Sequence, residues 1–433
     1  MNVSIKTHIP GQKSRRVLAS VKRLNGGWGG AYPFVHSREG SGCYFKDLDG
    51  NVFLDFASQV ASNPLGYNHP DIRRVIKMCA LHSPVKYAGQ DFVVKEHAML
   101  LEELLSVTPK KLDAAFLINS GAEAVENAIK ICMHKRPNAA FGVSCAGDFH
   151  GRTLGALSYT HSKPVQKKGF FEVPNKVVPF GEEAPVHLER IIKKNGAEKV
   201  AFVLMECVQG EGGYNVAPKS MVKGMREVAS TYHIPLICDE VQSGMGRTGK
   251  WWAFQHYGIS PDVITSAKAL NVGATIAHKK MFPDEPGAIS STWGGGHVVD
   301  LAVGVQTIKT IKKRKLLGKV ARDGVYIRKR LQEISAKKCP EIEGVRGLGL
   351  MCAFDLPAKK LRDDVVLGAL QHGLVVLGCG QRGIRLIPPF IVARKEIEEA
   401  LYILMSVIRK CGVRGFRHRG VICQFADCTE STT

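Results

Sequence analysis

Between residues 95 and 290, short apolar runs alternate with amphipathic stretches. Val200-Ala-Phe-Val-Leu-Met205 is apolar throughout, the mark of a strand covered on both faces. The following stretch, 218–233, sets Met221, Met225 and Val228 on one face of a helix. Pro235-Leu-Ile-Cys-Asp239 and Pro261-Asp-Val-Ile-Thr265 predict the next two strands. This alternation predicts an α/β fold with a mostly parallel sheet. Upstream, residues 46–55 spell a hairpin around an Asp49-Gly50 turn.

Beyond residue 300 the pattern changes. Helices are predicted over 298–312, 317–337, 363–373 and 395–410, with strands at 375–377 and 384–386. This is a smaller α+β domain. The expected division is an N-terminal segment 1–62 packing with the small domain, a large domain 63–305, a small domain 306–410 and a basic tail 411–433. The tail is Gly-punctuated and is expected to be poorly ordered. No internal repeat is visible.

Composition narrows the class. At 433 residues, 45% hydrophobic and 23% charged, the chain is globular rather than disordered or fibrous. No apolar run approaches the roughly 18 residues that span a bilayer. The 12 cysteines include no CxxC pair and no zinc-site spacing, so they are read as small buried hydrophobes in a reducing compartment. Lys and Arg outnumber Asp and Glu 60 to 39, a net charge of +21. That excess fits a polyanion partner or a soluble enzyme with basic faces and anionic ligands. No acid precedes Glu39, as in a transit peptide, but the N-terminus lacks a secretory apolar segment.

Five constellations carry candidate chemistry. Asn119-Ser-Gly-Ala-Glu123 runs from a strand into a helix, where free N–H groups and the helix dipole face an anion. Phe149-His150-Gly151-Arg152-Thr153 offers an aromatic and a guanidinium on one tight turn. Asp239-Glu-Val-Gln242 ends an apolar strand, where α/β proteins present ligand groups. A carboxylate there can hold a ring nitrogen protonated. Lys268 is the lone charge between Val263 and Ala277, either a snorkelling side chain or a desolvated amine ready to form a Schiff base. Gly244-Met-Gly-Arg-Thr-Gly249 matches GxGxxG, but Trp251-Trp252 follows and Asp262 lies too near for a dinucleotide site. It reads as a flexible turn.

In this order the motifs resemble the class III (ω-) aminotransferases, from Pro10-Gly11 to about Lys410. Asp239-Glu-Val-Gln-Ser-Gly, Thr248-Gly249, Pro261-Asp262 and Lys268 are the most specific part. The resemblance implies a pyridoxal 5'-phosphate enzyme of fold type I, with a large domain built on a seven-stranded-type sheet and a smaller α+β domain. Lys268 would be the Schiff-base lysine that also moves the proton. Asp239 would pair with the pyridine nitrogen, and Gln242 would contact the phenolic oxygen. Phe149 and His150 would lie against the ring. Ser120, Gly121 and Ala122 would bind the phosphate, and Thr292 would reach the phosphate of the other subunit of a homodimer. Arg152 would hold the distal carboxylate of the substrate, and Arg385 the α-carboxylate of glutamate or 2-oxoglutarate. Glu211 would pair with Arg385 when no carboxylate is there.

Within the family, Ser291-Thr-Trp-Gly-Gly295 and Leu350–Pro357 resemble lysine 6-aminotransferases, whereas Ser58-Gln59 and Thr160-His-Ser-Lys163 resemble 4-aminobutyrate aminotransferases. The implied reaction moves a terminal amino group from L-lysine or 4-aminobutyrate to 2-oxoglutarate. A racemase on the same scaffold and a nucleic-acid-binding protein are the rival readings; no specific nucleic acid, metal or membrane is expected. Family-like sequence beginning near Pro10 leaves little room for a presequence, so a cytoplasmic location is expected over a mitochondrial one. Two departures stand out: Cys207 replaces the usual Pro, and Ala269-Leu-Asn-Val-Gly273 replaces a Gly-rich stretch.

Overall fold

The computed structural model describes residues 1–26, 32–81, 86–87, 89, 91–289, 295 and 297–414. The chain forms two compact units, Pro70–Val320 and the pair of segments Met1–His69 and Ala321–Thr433.

The first unit is built on seven strands: β1 (Ala114–Ile118), β2 (Phe141–Cys145), β3 (Asn175–Val178), β4 (Val200–Met205), β5 (Leu236–Asp239), β6 (Val263–Ser266) and β7 (Gly273–Ala277). Their order is β1-β7-β6-β5-β4-β2-β3. Neighbours from β3 across to β6 pair in parallel, and β7 runs antiparallel to both β1 and β6. The predicted parallel sheet is therefore present, with one reversed strand. Every residue of β4 is buried, which explains its unbroken apolar run. Helix α1 (Gly121–Lys135) buries Val125, Ala128, Ile129, Ile131 and Cys132 against Phe202, Leu204, Ile237 and Val263. Each of these Val, Ile, Leu and Phe side chains contributes about 1.5–3 kcal/mol of burial energy. That face anchors the helix, so its N-terminus is held above the sheet's carboxyl edge.

The second unit holds two four-stranded sheets. The predicted hairpin appears as Tyr44–Asp47 and Val52–Asp55, antiparallel in register Phe45↔Phe53. The stretch 375–377, expected as one strand, is split. Leu374–Val375 joins Leu54–Asp55 in parallel, and Leu377–Cys379 joins the other sheet against Gly383–Leu386. The chain changes sheets at Val376, whose carbonyl accepts the Tyr32 hydroxyl at 2.9 Å. A helix expected to end at residue 410 runs Arg394–Arg414, because Cys411 is still buried. The rest of the basic tail lies outside the described residues. All ten described cysteines are free thiols, nine of them buried. Among the described residues no helix is long and apolar enough to cross a membrane.

Candidate active site

β4, β5 and β6 run in parallel, so their carboxyl ends open on one edge of the sheet. Each end delivers chemistry: Glu206 follows β4, Asp239 closes β5, and Lys268 lies two residues beyond β6.

Asp239 is nearly inaccessible at 4% exposure. Its Oδ1 accepts the Val241 N–H at 3.0 Å and the Thr265 hydroxyl at 3.1 Å. Thr265 stands directly opposite it on β6, so strand register alone creates that bond. Its Oδ2 takes the His150 Nδ1 at 2.7 Å. His150 is thus buried behind Asp239, and its bearing on a bound ring passes through that carboxylate. Phe149, the preceding residue, is half-buried, and its backbone N–H donates to Glu206 Oε2 at 2.8 Å.

The anion turn meets this carboxylate because Gly121 has no side chain. A Cβ there would stand 2.8 Å from Val241 Cγ1 and 3.4 Å from the Ala267 Cβ. The start of α1, the loop after β5 and the residue before Lys268 therefore converge. Ser120 caps α1, its hydroxyl accepting the Glu123 N–H at 3.3 Å. Gly121 and Ala122 are half-buried, which leaves the first helical N–H groups facing accessible space. Gly151, at φ +138°, brings in the Phe149–Thr153 turn; a Cβ there would meet the Ala122 Cβ at 2.7 Å. Arg152 follows and is exposed.

Lys268 adopts φ +46° and opens a short 3-10 turn ending at Asn271, φ +70°. Left-handed backbone in a non-glycine residue stores strain that persists where the surroundings enforce it. Asn271 is a residue type that tolerates this conformation. Cys207, the other departure, is buried and its carbonyl accepts the Tyr257 hydroxyl at 3.1 Å.

Gln242 is buried, and its Oε1 accepts the Tyr214 hydroxyl at 2.6 Å. Its Nε2 remains as the donor, on the side where Gly210 leaves room. Glu211 places Oε2 3.4 Å from Lys163 Nζ. Arg385 belongs to the other unit, buried on the strand Gly383–Leu386 opposite Ala353 and Leu377. Thr292 lies outside the described residues.

Burial and charge shape the proton affinities. Burial by itself would lower that of His150, but Asp148 and Asp239 outweigh it and hold the imidazole at about 10. Burial and then the nearby Asp148 push the Glu206 carboxyl well above its usual range. Burial also raises Asp148, against the opposing pull of His150 and Gln209.

Sequence reasoning missed Asp148, Glu206, Gln209, Thr265 and the Lys163 partner of Glu211. One signal was present: Glu206 follows a buried apolar strand as Asp239 closes the next one. The others needed contacts between loops.

The donor set suits a cofactor with a phosphate, an aldehyde and a basic ring nitrogen: a helix N-terminus, a lysine amine and a buried carboxylate. The family description "Aminotransferase class-III" matches residues 29–408. The chain belongs to the class III aminotransferases, pyridoxal-phosphate transferases of fold type I. An acetylornithine aminotransferase of Archaeoglobus fulgidus is 36% identical over 373 residues, 85% of this chain and 94% of that protein. The mitochondrial 4-aminobutyrate aminotransferase of Mus musculus is 30% identical, covering 93% of this chain and 90% of its own. The lysine aminotransferase structure from M. tuberculosis superposes with TM-score 0.83 at 27% identity, over 91% of this chain and 99% of that one.

Proposed function

We propose an ω-aminotransferase that moves the terminal amino group of an amino acid, such as L-lysine or 4-aminobutyrate, to 2-oxoglutarate, giving a semialdehyde and glutamate. One observation supports it above others: Gly121, Val241 and Ala267 bring the anion turn, the Asp239 strand end and Lys268 to one place. The donors in the relatives' names, acetylornithine, 4-aminobutyrate and lysine, each carry an amine remote from a carboxylate.

When bound, pyridoxal phosphate supplies an electrophilic carbon and an electron sink. Lys268 is the amine that anchors it and then moves the proton between neighbouring carbons. Asp239 keeps the ring nitrogen protonated, and His150 steadies Asp239. Gln242 donates its amide N–H to the phenolic oxygen. The half-buried Phe149 ring stacks on the cofactor. Ser120, Gly121 and Ala122 hold the phosphate through the start of α1. Thr292 completes the phosphate site of a second copy, making the working unit a homodimer.

Arg152 binds the distal carboxylate of the donor and Arg385 the α-carboxylate of glutamate. Glu211 serves as the alternative anion for Arg385, and its contact with Lys163 gives it a resting partner.

A donor screen tests this. Lysine, ornithine, acetylornithine and 4-aminobutyrate are each incubated with 2-oxoglutarate and the holoenzyme. Glutamate rising in step with a semialdehyde is expected for at least one. No glutamate from any, with loss of the donor's optical activity instead, overturns the reading in favour of a racemase.

A further inference from the structure

The polar cluster behind Asp239 is larger than one carboxylate requires. His150 lies between two acids. Its Nδ1 is 2.7 Å from Asp239 Oδ2, and its Nε2 is 3.4 Å from Asp148 Oδ2. All three side chains are essentially inaccessible, at 0–3% exposure. Asp148 is held in turn. Its Oδ1 accepts Gln209 Nε2 at 2.8 Å, and its Oδ2 accepts the Glu206 backbone N–H at 3.3 Å. Gln209 is itself fixed, donating to the Ala146 carbonyl at 2.7 Å and accepting Asn215 Nδ2 at 2.9 Å. Asp148 therefore cannot swing away from the imidazole without breaking a loop-to-loop network.

The contact at Nε2 discriminates between two forms of the ring. It is too poorly aligned for a hydrogen bond, and among the described residues Nε2 makes none. A neutral imidazole with its proton on Nδ1 would set the Nε2 lone pair against a carboxylate oxygen inside the protein. A protonated Nε2 turns that contact into an ion pair. Buried charges persist when they are compensated, and here one cation lies between two acids.

We propose that Asp148 is a positioning residue for transamination: it holds His150 as an imidazolium, and through it fixes Asp239 and tunes that carboxylate's hold on the cofactor's ring nitrogen. This rests on the reading that Asp239 faces that nitrogen. The direction of the His150 shift, upward to about 10 against the effect of burial, agrees with the geometry. The ionisable groups facing His150 are Asp148 beyond β2, Glu206 beyond β4, Asp239 on β5, and His161, whose proton affinity burial, Lys167 and His150 lower to about 4.

The test is 15N NMR of histidine-labelled holoenzyme, with His150→Gln to assign the signal. Both ring nitrogens of His150 should be protonated at about pH 7.5 and remain so to about pH 9, above the ordinary histidine range. In Asp148→Asn the midpoint should fall by about one unit or more, tenfold in proton affinity. The cofactor's absorbance should then acquire a pH step at the same midpoint, absent from the native enzyme. A neutral His150 in the native enzyme at about pH 7.5 overturns the proposal, and this reading stands if the variant does not fold. An unchanged midpoint and an unstepped absorbance in a folded Asp148→Asn enzyme overturn it equally. The signal of 15N-labelled cofactor separates the two levels: an unprotonated ring nitrogen refutes the assignment of Asp239, whatever the charge on His150.

Discussion

Two aspartates close strands in the two units and lead different lives. Asp55 ends the strand Val52–Asp55, and Asp239 ends β5; they are 1% and 4% exposed. Each binds the N–H two residues ahead, Ala57 at 2.8 Å and Val241 at 3.0 Å. Asp55 adds the Ser58 N–H at 2.9 Å and the Tyr67 hydroxyl at 2.8 Å, all neutral donors. What it secures is Ser58–Ala61, four consecutive non-glycine residues with φ between +45° and +69°. Gln59 steadies that turn by donating to the Tyr67 hydroxyl at 2.8 Å. Asp239 instead spends its second oxygen on an ionisable imidazole. The same residue type at a strand's end secures a strained turn in one unit and meets a buried imidazole in the other.

The contrast can be broken in order of effect. Lys268→Ala should abolish turnover, by at least about 10³-fold, while the protein still binds cofactor. Single-turnover assays check this, and a variant that still transaminates removes the lysine from the chemistry. Next, Asp239→Asn should cost about 10²-fold or more in kcat and alter the cofactor's absorbance. Asp55→Asn should instead lower stability by about 1–3 kcal/mol with the absorbance unchanged. Matching spectra for the two variants would erase the distinction drawn here.

The pH dependence of stability sharpens it. A folded-state affinity raised above the unfolded value contributes stability that is complete below about 6.5 and lost as pH rises through about 10. The affinities of Asp148 and Glu206 are raised as well, so each loses its contribution as pH rises through its own folded value, in the same direction. Thermal midpoints should fall over that alkaline range in the native protein and flatten in His150→Gln. Glu211→Gln should slow the amine-donor half-reaction about tenfold more than the glutamate half-reaction, since only the former needs a surrogate anion for Arg385. Equal losses contradict the switch. The smallest effect belongs to the strained turn. Val60→Gly, at φ +58°, should raise stability by about 0.5–1 kcal/mol, because glycine escapes the left-handed penalty at some entropic cost.

Much of this was legible in the chain. Unbroken apolar runs marked β4 and β5 because both faces of those strands are covered, and Met221 and Met225 at helical spacing marked the buried face of Lys219–Thr231. Asp239 and Lys268 stood out as charges set against apolar surroundings. Asp148 and Gln209 did not, since an acid and an amide in polar loops look like solvated surface until those loops are brought together. Val376 was likewise hidden, because a switch of sheets leaves the apolar run unbroken.

The +21 charge illustrates the same boundary. Composition fixed its size and suggested an anionic partner, but not which of the basic residues would meet one; Arg152 and Arg385 are proposed for that role. What the sequence determined by itself is the order of strands and helices and which charged groups stand at strand ends as candidates for the chemistry, because periodicity and strand-end position are local properties. What only the tertiary structure decided is which buried groups face one another. His150 gained Asp239, and Asp239 an ionisable partner, through a contact between residues 89 apart in the chain, and Asp148, two residues before His150, was turned onto its other side, where the low dielectric of the interior makes neighbours set the charge.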